Sequence, residues 1–172
     1  MLEYNNEMKY TIIENSLKTK LNGDMIESAL DFLEFLKTNN FLLNSNNEQC
    51  LREGQFIYLD EEVCYFNFDE HNLRVFGADC DIYDYEQEDL YADEQFIELI
   101  RSSVQYCGYF DPNRNCNCGE PKENRRMIFD KEYINLCKCP ICFHNPITES
   151  FKHIKKLVEI RKHNIAEFNH TL

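Results

Sequence analysis

The chain contains no tryptophan, and only five glycines and four prolines among its 172 residues. So few glycines leave no loop of the kind that cradles phosphates. Basic side chains are also scarce, with 18 Lys and Arg against 31 Asp and Glu, a net charge of −13. That balance excludes a broad positive face for nucleic acid, whose affinity comes from neutralising phosphates. No apolar run approaches the roughly 18 to 20 residues needed to span a bilayer. The opening stretch Met1 to Tyr10 has neither the basic nor the apolar region of a secretory signal. Together these absences predict a cytoplasmic chain with no membrane or nucleic-acid partner, leaving a protein or a small molecule as its partner.

Catalytic signatures are missing as well. There is no His-Glu-x-x-His or His-x-Glu pattern, and the acidic stretch Asp79 to Glu94 lacks the fixed spacing of a calcium loop. It reads as a solvated loop. Glu61 and Glu62 sit side by side at an expected hairpin turn, where paired carboxylates are ordinarily solvated rather than an acid–base pair.

What the chain has is an apolar fraction of 43%, with 13 Phe and 10 Tyr, enough for a core. The length suits one domain, 1–172. Charge is uneven: residues 1–100 carry 23 acidic and 6 basic side chains, residues 101–172 carry 8 and 12.

Residues 1–21 are ambiguous between a short strand and a loose helix. After Gly23, Asp24 and Glu27 form a capping-box pattern. Ile26, Ala29, Leu30, Leu33 and Leu36 then recur at helical spacing, predicting a helix over 25–38. Phe41 to Leu43 is a short strand. Gln55 to Asp60, Val63 to Phe68 and Leu73 to Ala78 read as an antiparallel meander. Asp93 caps a helix expected over 94–107, whose stripe is Phe96, Ile97, Ile100 and Val104. Arg125 to Ile128 is a short strand, and Thr148 starts a final helix over 149–168. Its Lys152, Lys155, Lys156 and Lys162 make the solvated face of an amphipathic helix, offset the acidic stretch, or grip a phosphate or an acidic partner.

Nine cysteines remain, too many for structural disulfides in a cytoplasmic protein. Five lie in one segment: Cys116-Asn-Cys118-Gly and Cys137-Lys-Cys139-Pro-Ile-Cys142, with 18 residues between Cys118 and Cys137. Cys139-x-x-Cys142 has the gap of a zinc knuckle, and Cys116-x-Cys118 is a tighter pair. The spacing predicts a structural, tetrahedral zinc site drawn from Cys116, Cys118, Cys139 and Cys142. Cys137 rivals Cys139, and Cys107 or His144 are further alternatives. Packed thiols without metal, or a redox pair, are the competing readings.

One resemblance follows from these C-terminal residues. Arg126 to Cys137, Asn145-Pro146 and Lys155 to Lys162 resemble an uncharacterised family of small cysteine-containing cytoplasmic proteins of anaerobic gut Firmicutes. The likeness is mainly over 104–162, including Val104 to Gly108 and Cys116/Cys118. It implies a bacterial cytoplasmic origin, favours Cys118 and Cys137 among the thiols, and implies no substrate. The chain departs from the family pattern at Asp130, where a glycine is expected, and in the pair Cys139/Cys142.

The expectation is therefore an α+β domain. An antiparallel sheet of three to five strands packs with helices, and a cysteine-rich zinc loop over 109–147 ties down the last helix. Its function would be non-enzymatic binding or regulation around a structural zinc. The alternatives are a small-molecule enzyme with a pocket between sheet and helices, and a thiol redox or metal-sensing protein.

Overall fold

The structure is a computed structural model that describes residues 2–44, 53–69, 72–77, 93–107, 110 and 125–170. Two helices come first, α1 (Leu2–Lys20) and α2 (Asp24–Thr38). The ambiguous N-terminal stretch is thus helical. It buries Tyr10, Ile13 and Leu17, about one side chain per turn, against α2 and the sheet edge. Gly23 rather than Asp24 precedes α2, with no side-chain cap. The helix ends as its asparagines suggest. Asn40 takes φ 61°, Asn40 N–H bonds to Lys37 O and Phe41 N–H reaches back to Leu36 O. A left-handed residue with those two bonds satisfies the last carbonyls of the helix.

The strands follow as β1 (Leu42–Asn44), β2 (Glu53–Tyr58), β3 (Glu61–Phe68) and β4 (Leu73–Gly77). The three strands of the meander are present, but Leu59 and Asp60, at φ 48° and 67°, turn the β2–β3 hairpin, and Glu61 and Glu62 open β3 instead of lying in the turn. Two successive left-handed residues match the twist of a tight hairpin. Helix α3 (Glu94–Ser102) is shorter than expected. The chain leaves it at Ser103 and becomes β5 (Val104–Tyr106). A separate hairpin, β6 (Arg125–Ile128) and β7 (Lys131–Ile134), leads into β8 (Leu136–His144) and the long helix α4 (Thr148–His170).

The sheet has six strands in the order β1-β2-β3-β4-β8-β5, every pair antiparallel, so the expectation of three to five was too small. The late strand β8 inserts between β4 and β5. One face of the sheet carries Phe56, Phe66 and Phe68, and α1, α2 and α4 lie over it. Phe32 of α2 meets Phe66 and Phe151, and Tyr10 of α1 meets Phe56. At Gly54 a Cβ would stand 2.6 Å from Leu43 Cδ1, so a side chain there would have to displace the end of that leucine. On this face the aromatic rings fill the space beneath α1, α2 and α4.

The zinc loop is the main correction. Cys116 and Cys118 lie outside the described residues. Cys137, Cys139 and Cys142 are not on a turn but along the extended strand β8. A knuckle folds its backbone so that two sulfurs and several N–H groups converge on one ion. In a strand that rises about 3.3 Å per residue, positions 139 and 142 stand roughly 10 Å apart. Backbone bonds are committed elsewhere too: Cys142 N–H donates to Ser103 O at 2.9 Å, and Cys142 pairs with Phe76 across to β4. Pro140 falls where the β5–β8 register shifts, a place that tolerates a missing N–H. Among the described residues no group of three or more His, Cys, Asp or Glu side chains could hold a metal ion. The structural zinc, the metal-binding role and the metal-sensing alternative are withdrawn with it. Within 109–147 the described residues 125–147 form a hairpin and a sheet strand, so order there comes from pairing and packing.

Candidate functional site

Helix α3 is strongly two-sided. Phe96 and Ile100 are fully buried, Ile97 and Leu99 are half-buried, and Glu94, Gln95, Glu98 and Ser102 face outward. Its start is fixed by Asp93, whose carboxylate accepts from Phe96 N–H at 3.0 Å. The second oxygen of Asp93 lies 3.4 Å from Lys156 Nζ and 3.8 Å from His153 Nδ1, both on α4. The Phe96 N–H bond, with help from Lys156 and His153, holds the Asp93 carboxyl below the usual carboxylate range against the opposing effect of burial. Lys156 also lies over the Phe96 ring at 4.9 Å. One carboxylate therefore caps α3 and fastens it to α4.

Lys155, Lys162 and Arg161 of α4 are used in the same manner. Lys155 bonds Asp31, Lys162 bonds Asn39 O and rests over Phe41 and Tyr58, and Arg161 approaches Glu61. They fasten α4 to α2 and the meander, so the reading of a phosphate-gripping face on this helix does not hold. Glu61 is likewise half of an ion pair, and Glu62 accepts from Gln55 Nε2.

Beyond α3 stands the turn of the β6–β7 hairpin. Phe129 and Asp130 take φ 47° and 59°, a conformation unfavourable for a bulky side chain. Packing holds it. The Phe129 ring is buried edge-on against Phe96 at 6.0 Å, and Arg101 of α3 donates from Nη2 to Phe129 O. As at Leu59–Asp60, two successive left-handed residues fit the twist of a tight hairpin.

Between α3 and this turn lies an open groove of about 800 Å³. Ile97, Leu99 and Phe129 give it an apolar floor, and Glu94, Glu98 and Asp130 an acidic rim, with Arg101 the one basic lining residue among the described residues. Glu94 and Glu98 are one helical turn apart and so stand on the same side of α3. None of these residues was a sequence-level candidate. The signal available was the i, i+4 acidic pair on a helix with a buried opposite face. Asp130 was noticed only as a departure from a family pattern.

A second cavity, of about 290 Å³, lies where α3, β5, β8 and the start of α4 meet. Cys142 and His144 line it, with Cys142 Sγ 3.4 Å from His144 Nε2. Of the sequence-predicted thiols, Cys142 is 2% exposed, Cys137 and the alternative Cys107 are half-buried, and none of these three is in a disulfide.

No family model matches the chain. No curated protein matches it. No solved structure matches it.

Proposed function

We propose that this protein binds a basic, apolar-anchored peptide segment of a partner protein in the groove between α3 and the β6–β7 turn. The observation that carries the reading is the groove's composition, an apolar floor of Ile97, Leu99 and Phe129 beneath carboxylates at Glu94, Glu98 and Asp130. An apolar side chain seated on such a floor loses water, while flanking Lys or Arg meet the rim carboxylates. The net charge of −13 favours encounter with a cationic partner and disfavours an anionic one. Rigid supports suit the role: α3 is fastened to α4 through Asp93, and the turn to α3 through Arg101 and Phe129. The proposal keeps the expected cytoplasmic setting. The resemblance of 104–162 to proteins of anaerobic Firmicutes carries no activity and adds nothing to it.

The test is fluorescence anisotropy with two labelled peptides of equal length, one of alternating Lys and Leu, the other with Glu for Lys. The account expects the Lys peptide to bind and the Glu peptide not to. Glu94→Gln, Glu98→Gln and Asp130→Asn together should weaken the Lys peptide by about tenfold, on the order of 1.4 kcal/mol. Rising salt should weaken the wild-type complex. Equal binding of both peptides, or indifference to the triple variant, would overturn the reading.

A further inference from the structure

The second cavity points to chemistry that the groove does not use. We propose that Cys142 is a nucleophilic thiol that forms a covalent adduct with a small, uncharged α,β-unsaturated carbonyl compound.

Three observations converge on this class. The first is the pair itself: Cys142 Sγ and His144 Nε2 are 3.4 Å apart, within reach of proton transfer from sulfur to imidazole. The second is the wall. Leu99, Phe143, Pro146 and Ile147 are apolar, Ser102, Ser103 and Ser150 add hydroxyls, and among the described lining residues there is no Asp, Glu, Lys or Arg. Such a lining receives a neutral molecule and penalises an ionised one. Gln105 and Asn145 stand in the lining with amide N–H donors, the complement of a carbonyl oxygen, while Asn145 Oδ1 accepts from Leu73 N–H at 2.7 Å. The third is size and access. The cavity holds about 290 Å³, and Cys142 is buried at its inner side while His144 is exposed. A cavity of that size suits a small molecule rather than a folded protein.

The step balances without an oxidant. Imidazole takes the thiol proton, and the sulfur lone pair attacks the β-carbon to form a C–S bond. The carbon–carbon π pair moves through the α-carbon toward the carbonyl oxygen. The imidazolium then returns its proton to the α-carbon, leaving a thioether and neutral His144. Sulfur is a soft nucleophile, suited to such a carbon.

The test uses the full chain and N-methylmaleimide, a small electrophile of this class, with labelling at each cysteine followed by peptide mass spectrometry. Cys142 should be labelled about tenfold faster than the more exposed thiols Cys107 and Cys137, because activation rather than exposure sets its rate. His144→Gln removes the proton acceptor at an exposed position, so the fold should persist, as circular dichroism would verify. Labelling of Cys142 should slow by about tenfold, with Cys107 and Cys137 unchanged. A polyethylene-glycol maleimide should leave Cys142 unlabelled. Labelling of Cys142 no faster than of Cys107, or unaltered in His144→Gln, would overturn the proposal. So would equal labelling by the bulky reagent, which would mean that the thiol reacts only when the fold opens.

Discussion

Asp93 joins three parts of the molecule through one carboxylate: the first turn of α3, Lys156 and His153. Its capping role was legible in the sequence because a cap is local chemistry between residues three apart. Its contact with α4 was not, since 63 positions separate Asp93 from Lys156. The carboxyl is held below its ordinary range in the fold. Its contribution is therefore fully present above the unfolded carboxylate value, and is lost as pH falls through the lower folded value. Asp93→Ala should cost about 1 kcal/mol near neutral pH, the usual worth of a cap. The deficit relative to wild type should shrink on acidification, which paired urea melts across the acid range would measure. A deficit independent of pH would show that the charge plays no part. At Cys142 the same scale taught a different lesson. Two cysteines with Pro and Ile between them read as a knuckle, yet the intervening residues also suit a strand beside a bulge. Which one forms is decided by Ser103 and Phe76, to which Cys142 is bonded and paired across the sheet.

Elements with a wide apolar stripe were readable. Helix α2, with Phe32 and Phe35 broadening its stripe, and the meander, with alternation along β3, came out close to their observed bounds. Helix α1 stayed ambiguous because it buries little more than Tyr10, Ile13 and Leu17, a stripe too thin to separate from a strand pattern. Strand β5 was absorbed into the helix before it, because Val104 continues the apolar spacing of Phe96 and Ile100 and only pairing with β8 makes it a strand. Placement of β8 between β4 and β5 was out of reach, being a matter of long-range register. For α3 the orientation makes a sharp demand. Ile100 has no exposed surface, so Ile100→Asp buries a charge with no partner built for it. The expected loss is about 3 kcal/mol or more, read as a lowered urea midpoint. An unchanged midpoint would mean that α3 does not dock through this face.

At the scale of the whole molecule, charge and shape tell one story. The basic residues of α4 are largely spent on internal contacts, with Asp31, Asp93, Asn39 and Glu61 as their partners. The rim of the α3 groove offers Glu94, Glu98 and Asp130 outward, against Arg101 alone on the basic side among the described residues. The acidic excess was plain in the composition, but the groove was not. Its two sides, α3 and the β6–β7 turn, meet only because Phe129 packs on Phe96 from 33 residues away. The most direct measurement is a two-dimensional amide spectrum of the labelled protein, titrated with the Lys–Leu peptide. Binding in the groove predicts progressive shifts confined mainly to residues 94–102 and 129–131. Shifts centred elsewhere, with those residues unmoved as the peptide saturates, would contradict it.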